Sequence, residues 1–236
     1  MRVPLLLLAV LTAGIFTLFA LVPLSGIMLL HAGLMVVAWG VLVPLGVIIA
    51  RYFKITRQQD FPAHLDNGFW WNWHRGLQYT GVILSTLGFA AMASTVGLKL
   101  DTTHTQIGMA VVVIGWLQLL SGWFRGSKGG PTEPTMRGDH YDMTPRRHVF
   151  QWLHKSLGWS VMALAFSAIW TGMSLMGLPD VAFALLVGNA AVFMIAAVIF
   201  QKQGRQVSTY RAIWGVEEPA KTELAHQSVA VTPPST

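Results

Sequence analysis

Apolar and polar residues along this chain are sorted into long blocks rather than short amphipathic periods. Uncharged, largely apolar runs cover Val3–Ala50, Gly76–Leu98, Thr102–Phe124, Ser156–Pro179 and Val181–Gln201. A hydrocarbon core about 30 Å thick is crossed by roughly 20 helical residues, so each of the later runs makes a single crossing. The first run is long enough for two, and Pro23-Leu24-Ser25-Gly26 near its middle reads as the turn between them. The pattern predicts an all-α integral membrane protein with six transmembrane helices. Lipid gives free backbone groups no partner, which excludes open sheets and irregular spans. No repeat of the solenoid kind is visible.

Helix ends are legible in places. Thr144 followed by Pro145 reads as an N-cap and first helical residue, so the fifth span should begin several turns before Ser156. Phe69, Trp70, Trp71 and Trp73 ahead of the third span read as an interfacial aromatic belt. Residues 1–25 have two readings, a retained first helix or a cleaved signal peptide behind Arg2. The length of the apolar stretch and the lack of a clear A-x-A site favour the retained helix. The tail from 202 to 236, ending Val-Thr-Pro-Pro-Ser-Thr, is expected to be partly disordered.

Charge then orients the spans. Charged residues make up 11% of the chain, against about 25% in soluble domains. Arg51, Lys54, Arg57 and Arg75 surround the second loop; Arg125, Lys128, Arg137, Arg146, Arg147 and Lys155 surround the fourth; Lys202, Arg205, Arg211 and Lys221 follow the last span. The intervening turns are neutral or balanced, as at Lys99 and Asp101. The positive-inside rule places the basic loops and both termini in the cytoplasm, as in a bacterial inner membrane. It also accounts for the net charge of +6 without nucleic acid as a partner. The absence of cysteine excludes disulfides, thiolate-ligated haem, iron–sulfur clusters and c-type haem attachment.

Spans two to five each carry a histidine near their amino-terminal end: His31, His74, His104 and His154. Ionisable residues inside spans point to function. Successive helices run in opposite directions, so His31 and His104 fall near the outer face and His74 and His154 near the inner face. Two imidazoles on facing helices suit a six-coordinate haem iron. Glycines recur on the same helical faces, at Gly46 after His31, Gly88 after His74, Gly122 after His104 and Gly172 after His154. They are expected either to admit a porphyrin or to serve close helix packing. A zinc site and a proton relay are the competing uses of the histidines; the first needs more ligands per face, and the second usually draws on membrane carboxylates. His148 is the alternative to His154 on span five. His64, His140 and His226 are expected to be solvated. Gln78 lies on the His74 face and fits either a hydrogen bond near the inner site or ordinary packing. Arg51, Arg75, Arg125, Arg146 and Arg147 fit haem propionates, an anionic donor or membrane orientation alone.

These residues resemble the cytochrome b561 family, in particular the membrane domain found fused to DOMON modules. The resemblance runs from Leu29 to Gly172. It is carried by H-A-G-L-M-V-V-A-W-G-V-L-V-P-L-G-V-I-I-A-R-Y from His31 to Tyr52, W-H-R-G-L-Q at Trp73–Gln78, H-T-Q-I-G with a later L-Q-L-L at His104–Leu120, and H-K-S-L-G-W at His154–Trp159. It implies a six-transmembrane bundle with a four-helix haem-binding core and two haem b groups. The implied axial ligands to the haem irons are His31 with His104 and His74 with His154. Residues 1–25 would be the first transmembrane helix, 26–201 the haem-binding domain and 202–236 a cytoplasmic tail. Two departures from the family are expected: no extracellular module, and a longer Arg125–Arg147 loop than the animal-type proteins have.

The implied function is transmembrane electron transfer, from a small-molecule or protein donor inside to an acceptor outside, of ferric reductase type, with no catalytic side chain. The alternatives are a haem-binding membrane anchor or sensor for a redox partner, and a cofactor-free transporter. Besides the bilayer, a second copy of the chain is a partner compatible with this reading.

Overall fold

The computed structural model describes residues 12–15, 17 and 24–217. All regular structure among them is helical. Five helices are long and apolar enough to cross a membrane: α1 (Gly26–Tyr52), α2 (Phe69–Val96), α3 (Thr103–Trp123), α4 (Pro145–Leu175) and α5 (Asp180–Lys202). They coincide with the second to sixth expected crossings. The first expected crossing lies mostly outside the described residues, as does the tail beyond residue 217. A short helix, α6 (Thr209–Trp214), follows α5.

The caps follow from residue type. Ser25 accepts from Met28 N at 3.4 Å to start α1, and Thr102 and Thr105 cap α3 reciprocally. Thr144 accepts from Arg147 N at 3.4 Å with Pro145 next in line, as its sequence signature anticipates. Gly177 takes φ +63°, a left-handed turn open to glycine, between α4 and α5.

Helix α1 is not uniform. Val36–Leu42 widens into a π segment, and Val43 N–H bonds to Ala38 O, five residues back. The cause lies just downstream, at Pro44. Proline lacks an N–H and its ring crowds the carbonyl four residues earlier, here Gly40. A π-bulge relieves that crowding. The Gly40 carbonyl is then met from α5, where buried Asn189 donates Nδ2 at 3.2 Å.

Helix α1 packs on α2, α3 packs on α4, and α5 packs against α1 and α4. Ala38, Trp39, Val43, Val111, Val161 and Ala165 form a buried cluster among them. Within it the Trp39 indole donates to Ser85 Oγ at 2.9 Å, so a polar group in the apolar interior has its partner. Ile83, Leu87, Val113, Leu117, Val187 and Met194 point outward and are exposed. Such a girdle is stable in lipid and would aggregate in water.

At the basic end the loops fold onto α6. Asp66 N donates to Ala212 O at 3.0 Å, and Lys128 Nζ pairs with the buried Asp66 carboxylate at 2.6 Å. The Thr132 hydroxyl donates to the same carboxylate. Gly130 sits at φ +96°, and a Cβ there would lie 2.6 Å from Ile213 Cγ2. His140 is the correction here. It is 1% exposed rather than solvated, packed against Trp214 with centroids 4.9 Å apart and against Tyr210. Loop residues carry no hydrophobic period, so the sequence gives no sign of this burial.

Burial pushes His140 down to about 3, with Arg147, Arg125 and Lys128 adding repulsion. An unfolded histidine titrates near 6.5. The unfolded loop thus binds a proton in the interval where the folded loop does not, and stability contributed here is complete above about pH 6.5 and lost as pH falls toward 3. Between pH 7 and pH 5 local opening should become easier by on the order of 2 kcal/mol. Hydrogen exchange over residues 124–144, corrected for intrinsic rates, should rise accordingly, and His140→Phe should flatten the dependence. An unchanged slope in that variant would show that another group titrates.

Candidate functional site

The four span histidines meet in two pairs. His31 on α1 faces His104 on α3 with ring centroids 6.1 Å apart and planes at 86°. His74 on α2 faces His154 on α4 at 6.4 Å and 78°. Helices α1 and α3 run in one direction and α2 and α4 in the other, so the pairs lie at opposite ends of the bundle. His148 is half-buried about one and two-thirds turns earlier on α4, and it is His154 that meets His74.

Each ring is also tied from behind. His31 Nδ1 donates to Gly88 O at 2.9 Å, His74 Nδ1 to Gly46 O at 3.0 Å and His104 Nδ1 to Ala168 O at 2.9 Å. His154 Nδ1 meets Ser121 Oγ at 3.1 Å. A carbonyl only accepts, so Nδ1 carries the proton and Nε2 keeps its lone pair for a metal. That is the arrangement by which outer partners orient metal-binding imidazoles.

The pairs fit a haem better than a bare ion. Two metal–nitrogen bonds of about 2.0 Å, with about 1.1 Å from each nitrogen to its ring centre, would put imidazole centroids about 6.2 Å apart. Both observed separations lie near this value. Among the described residues no three His, Cys, Asp or Glu converge, so zinc would lack a closed ligand set. A porphyrin supplies four nitrogens itself and asks the protein for two. A cavity of about 300 Å³ opens beside the first pair, walled by His31, Trp39, Phe89, Met92, His104 and Met109.

Three of the glycines meet histidines of neighbouring helices. A Cβ on Gly172 would come within 2.8 Å of His104 Cε1, so this glycine makes room for a histidine of the neighbouring helix. Gly88 and Gly46 offer their carbonyls to His31 and His74. Each therefore serves the histidine of the other pair's helix, close to where that ring lies. Gly122 has nothing within 4 Å of a built Cβ. Gln78 donates Nε2 to Val43 O at 3.1 Å beside Gly46, the residue whose carbonyl meets His74.

Around the second pair the helix ends are cationic. Arg125 lies over the Trp71 ring at 4.3 Å and Arg75 over the same ring at 5.9 Å, both within cation–π range. Arg51 Nη2 donates to Gln206 Oε1 at 3.0 Å, Arg146 Nε donates to Phe124 O at 3.0 Å, and Arg147 is buried with its guanidinium over Phe150. Burial pushes Lys54 down to about 8, with Lys155 and Arg51 contributing repulsion. Sequence reasoning missed Ser121, Ser85 and Asn189, because a lone hydroxyl or amide in a span has no distinguishing spacing.

No family profile and no solved structure matches the chain. Curated proteins do. Human "Ferric-chelate reductase 1" is 32% identical over 154 residues, covering 64% of this chain and 23% of that protein. An Arabidopsis thaliana "Cytochrome b561 and DOMON domain-containing protein" is 30% identical over 218 residues, 85% of this chain and 42% of the relative. A second Arabidopsis protein, "Cytochrome b561, DM13 and DOMON domain-containing", is 28% identical over 148 residues, 62% of this chain and 14% of its own length. The chain thus spans less than half the length of each of these relatives.

Proposed function

Since the chain carries a cytochrome b561-type domain, we propose that it passes electrons across the bilayer through two haem b groups, one held by His31 and His104 and one by His74 and His154. The observation carrying this reading is the pair of facing imidazole couples, each with Nδ1 engaged and Nε2 spare. When bound, haem supplies a one-electron ferric/ferrous couple. Each histidine pair would give its haem two protein nitrogen donors, which would favour electron transfer over oxygen binding. Trp39, Val43, Val111 and Ala165 keep the space between the two pairs dry. The cofactor-binding domain spans 26–201.

The basic end, with the His74–His154 pair, faces the cytoplasm and takes electrons from an inner donor; the His31–His104 pair delivers them outside. Loop charge supports this direction. The relatives' printed names suggest a ferric chelate as the class of outer acceptor.

A reduced-minus-oxidised spectrum of purified protein, with pyridine haemochrome quantitation, should give two haems b per chain. A haem-free protein would end this reading. Orientation has its own test, because the chain has no cysteine. Lys99→Cys should react with an impermeant maleimide in intact cells, and Met136→Cys, exposed in the fourth loop, only after permeabilisation. The reverse pattern would exchange donor and acceptor sides.

A further inference from the structure

The four histidines are not held alike. Three donate Nδ1–H to main-chain carbonyls, at Gly88, Gly46 and Ala168. The fourth, His154, uses a side chain, the Ser121 hydroxyl on α3. The direction of that bond can be worked out. Ser121 Oγ also lies 2.8 Å from Gln118 O, and a carbonyl cannot donate. The single hydroxyl proton is therefore spent on Gln118, and toward His154 the oxygen presents a lone pair. His154 accordingly carries its proton on Nδ1, as its three counterparts do. Gln118 supports the assembly from the same helix by donating Nε2 to His154 O at 2.9 Å.

A hydroxyl oxygen is a weaker acceptor than an amide carbonyl. An imidazole whose Nδ1–H is pulled strongly is a more basic donor at Nε2, and a more basic donor favours the ferric over the ferrous ion. We infer that Ser121 is a positioning residue that sets the ferric-to-ferrous preference of the His74–His154 site through its bond to His154 Nδ1. The inference rests on the bis-histidine reading above. It makes this site adjustable by one side chain, whereas the His31–His104 site is held by main-chain carbonyls that substitution leaves in place.

The test is potentiometric titration of the purified holoprotein, followed in the haem b absorption band and fitted to two one-electron components. Ser121→Ala removes the acceptor. One component should then favour the ferrous form by about tenfold more than in wild type, the size of effect that loss of an outer partner has on metal affinity. For a one-electron couple that is an upward shift of about 59 mV. The other component should stay put. Ser121→Cys, close in size and a poorer acceptor, should move the same component in the same direction, and Ser121→Thr should restore the wild-type value. If the alanine variant loses haem, the cysteine and threonine variants carry the comparison. Two unshifted components in a fully haem-loaded Ser121→Cys protein would overturn the tuning role. Wild-type protein lacking two haem components would instead overturn the bis-histidine reading itself, so the two failures are distinguishable.

Discussion

His31→Ala protein is expected to purify with one haem b in place of two, and His74→Ala likewise, each losing a different spectral component. His31 shares its site with His104 at a centroid separation of 6.1 Å, and His74 shares the other with His154. Removing either ring leaves its partner as a lone donor. The functional consequence is larger than half. The pairs lie at opposite ends of spans that cross a core about 30 Å thick, so haems held there would act in series. In proteoliposomes with trapped reductant, reduction of an impermeant external ferric chelate should fall to the protein-free background in both variants. Transfer at the wild-type rate by His31→Ala protein that had lost its haem would sink the relay and favour an anchor or sensor role. His148→Ala should retain both haems; loss of the second-pair haem there, with retention in His154→Ala, would reassign the ligand on α4.

Gly172→Val is expected to abolish the His31–His104 haem while sparing the other. A Cβ at residue 172 would lie 2.8 Å from His104 Cε1 and 3.0 Å from Nδ1, inside ordinary van der Waals contact. The ring would have to tilt, and tilting breaks the 2.9 Å bond to Ala168 O that aims it. Overpacking of this kind costs about 1–3 kcal/mol before any loss of haem is counted. Gly122→Val is the matched control, since nothing lies within 4 Å of a Cβ there. Haem-to-protein ratio and the reduced spectrum read both variants. Equal haem loss in the two would mean that general helix disruption, rather than the His104 ring, is responsible.

Much of this organisation is legible in the order of residues. Long uncharged runs give the spans because membrane helices must be apolar throughout. The Thr144–Pro145 start of α4 is local chemistry, and local chemistry survives folding. The histidine pairs follow from helix direction alone, since side chains at successive amino-terminal ends alternate between faces. What stayed hidden depends on the neighbouring helix. The carbonyls of Gly88, Gly46 and Ala168 are invisible in sequence, because every residue has one and only packing decides which is reached. The glycine spacing was visible, but its purpose was not. A missing side chain says that something approaches closely without saying whether that is a porphyrin or a histidine. His140 was hidden for the opposite reason, as one loop residue buried by aromatic groups of a distant short helix.

The wide turn at Val36–Leu42 gives α1 a property that the other long helices lack. A π-bulge amounts to one residue more than a regular helix needs over the same stretch. Losing a residue from an α-helix rotates everything beyond it by about 100°, which in α4 would swing His154 and the Ala168 carbonyl out of phase. Within Val36–Leu42 the same loss leaves the length of a plain α-helix. His31 at one end and Gly46 at the other would keep their bearings on α2. Helix α1 therefore holds a spare residue between its two contact points, and a one-residue deletion there would keep His31 and Gly46 in phase while returning the Pro44 ring to the carbonyl four residues before it.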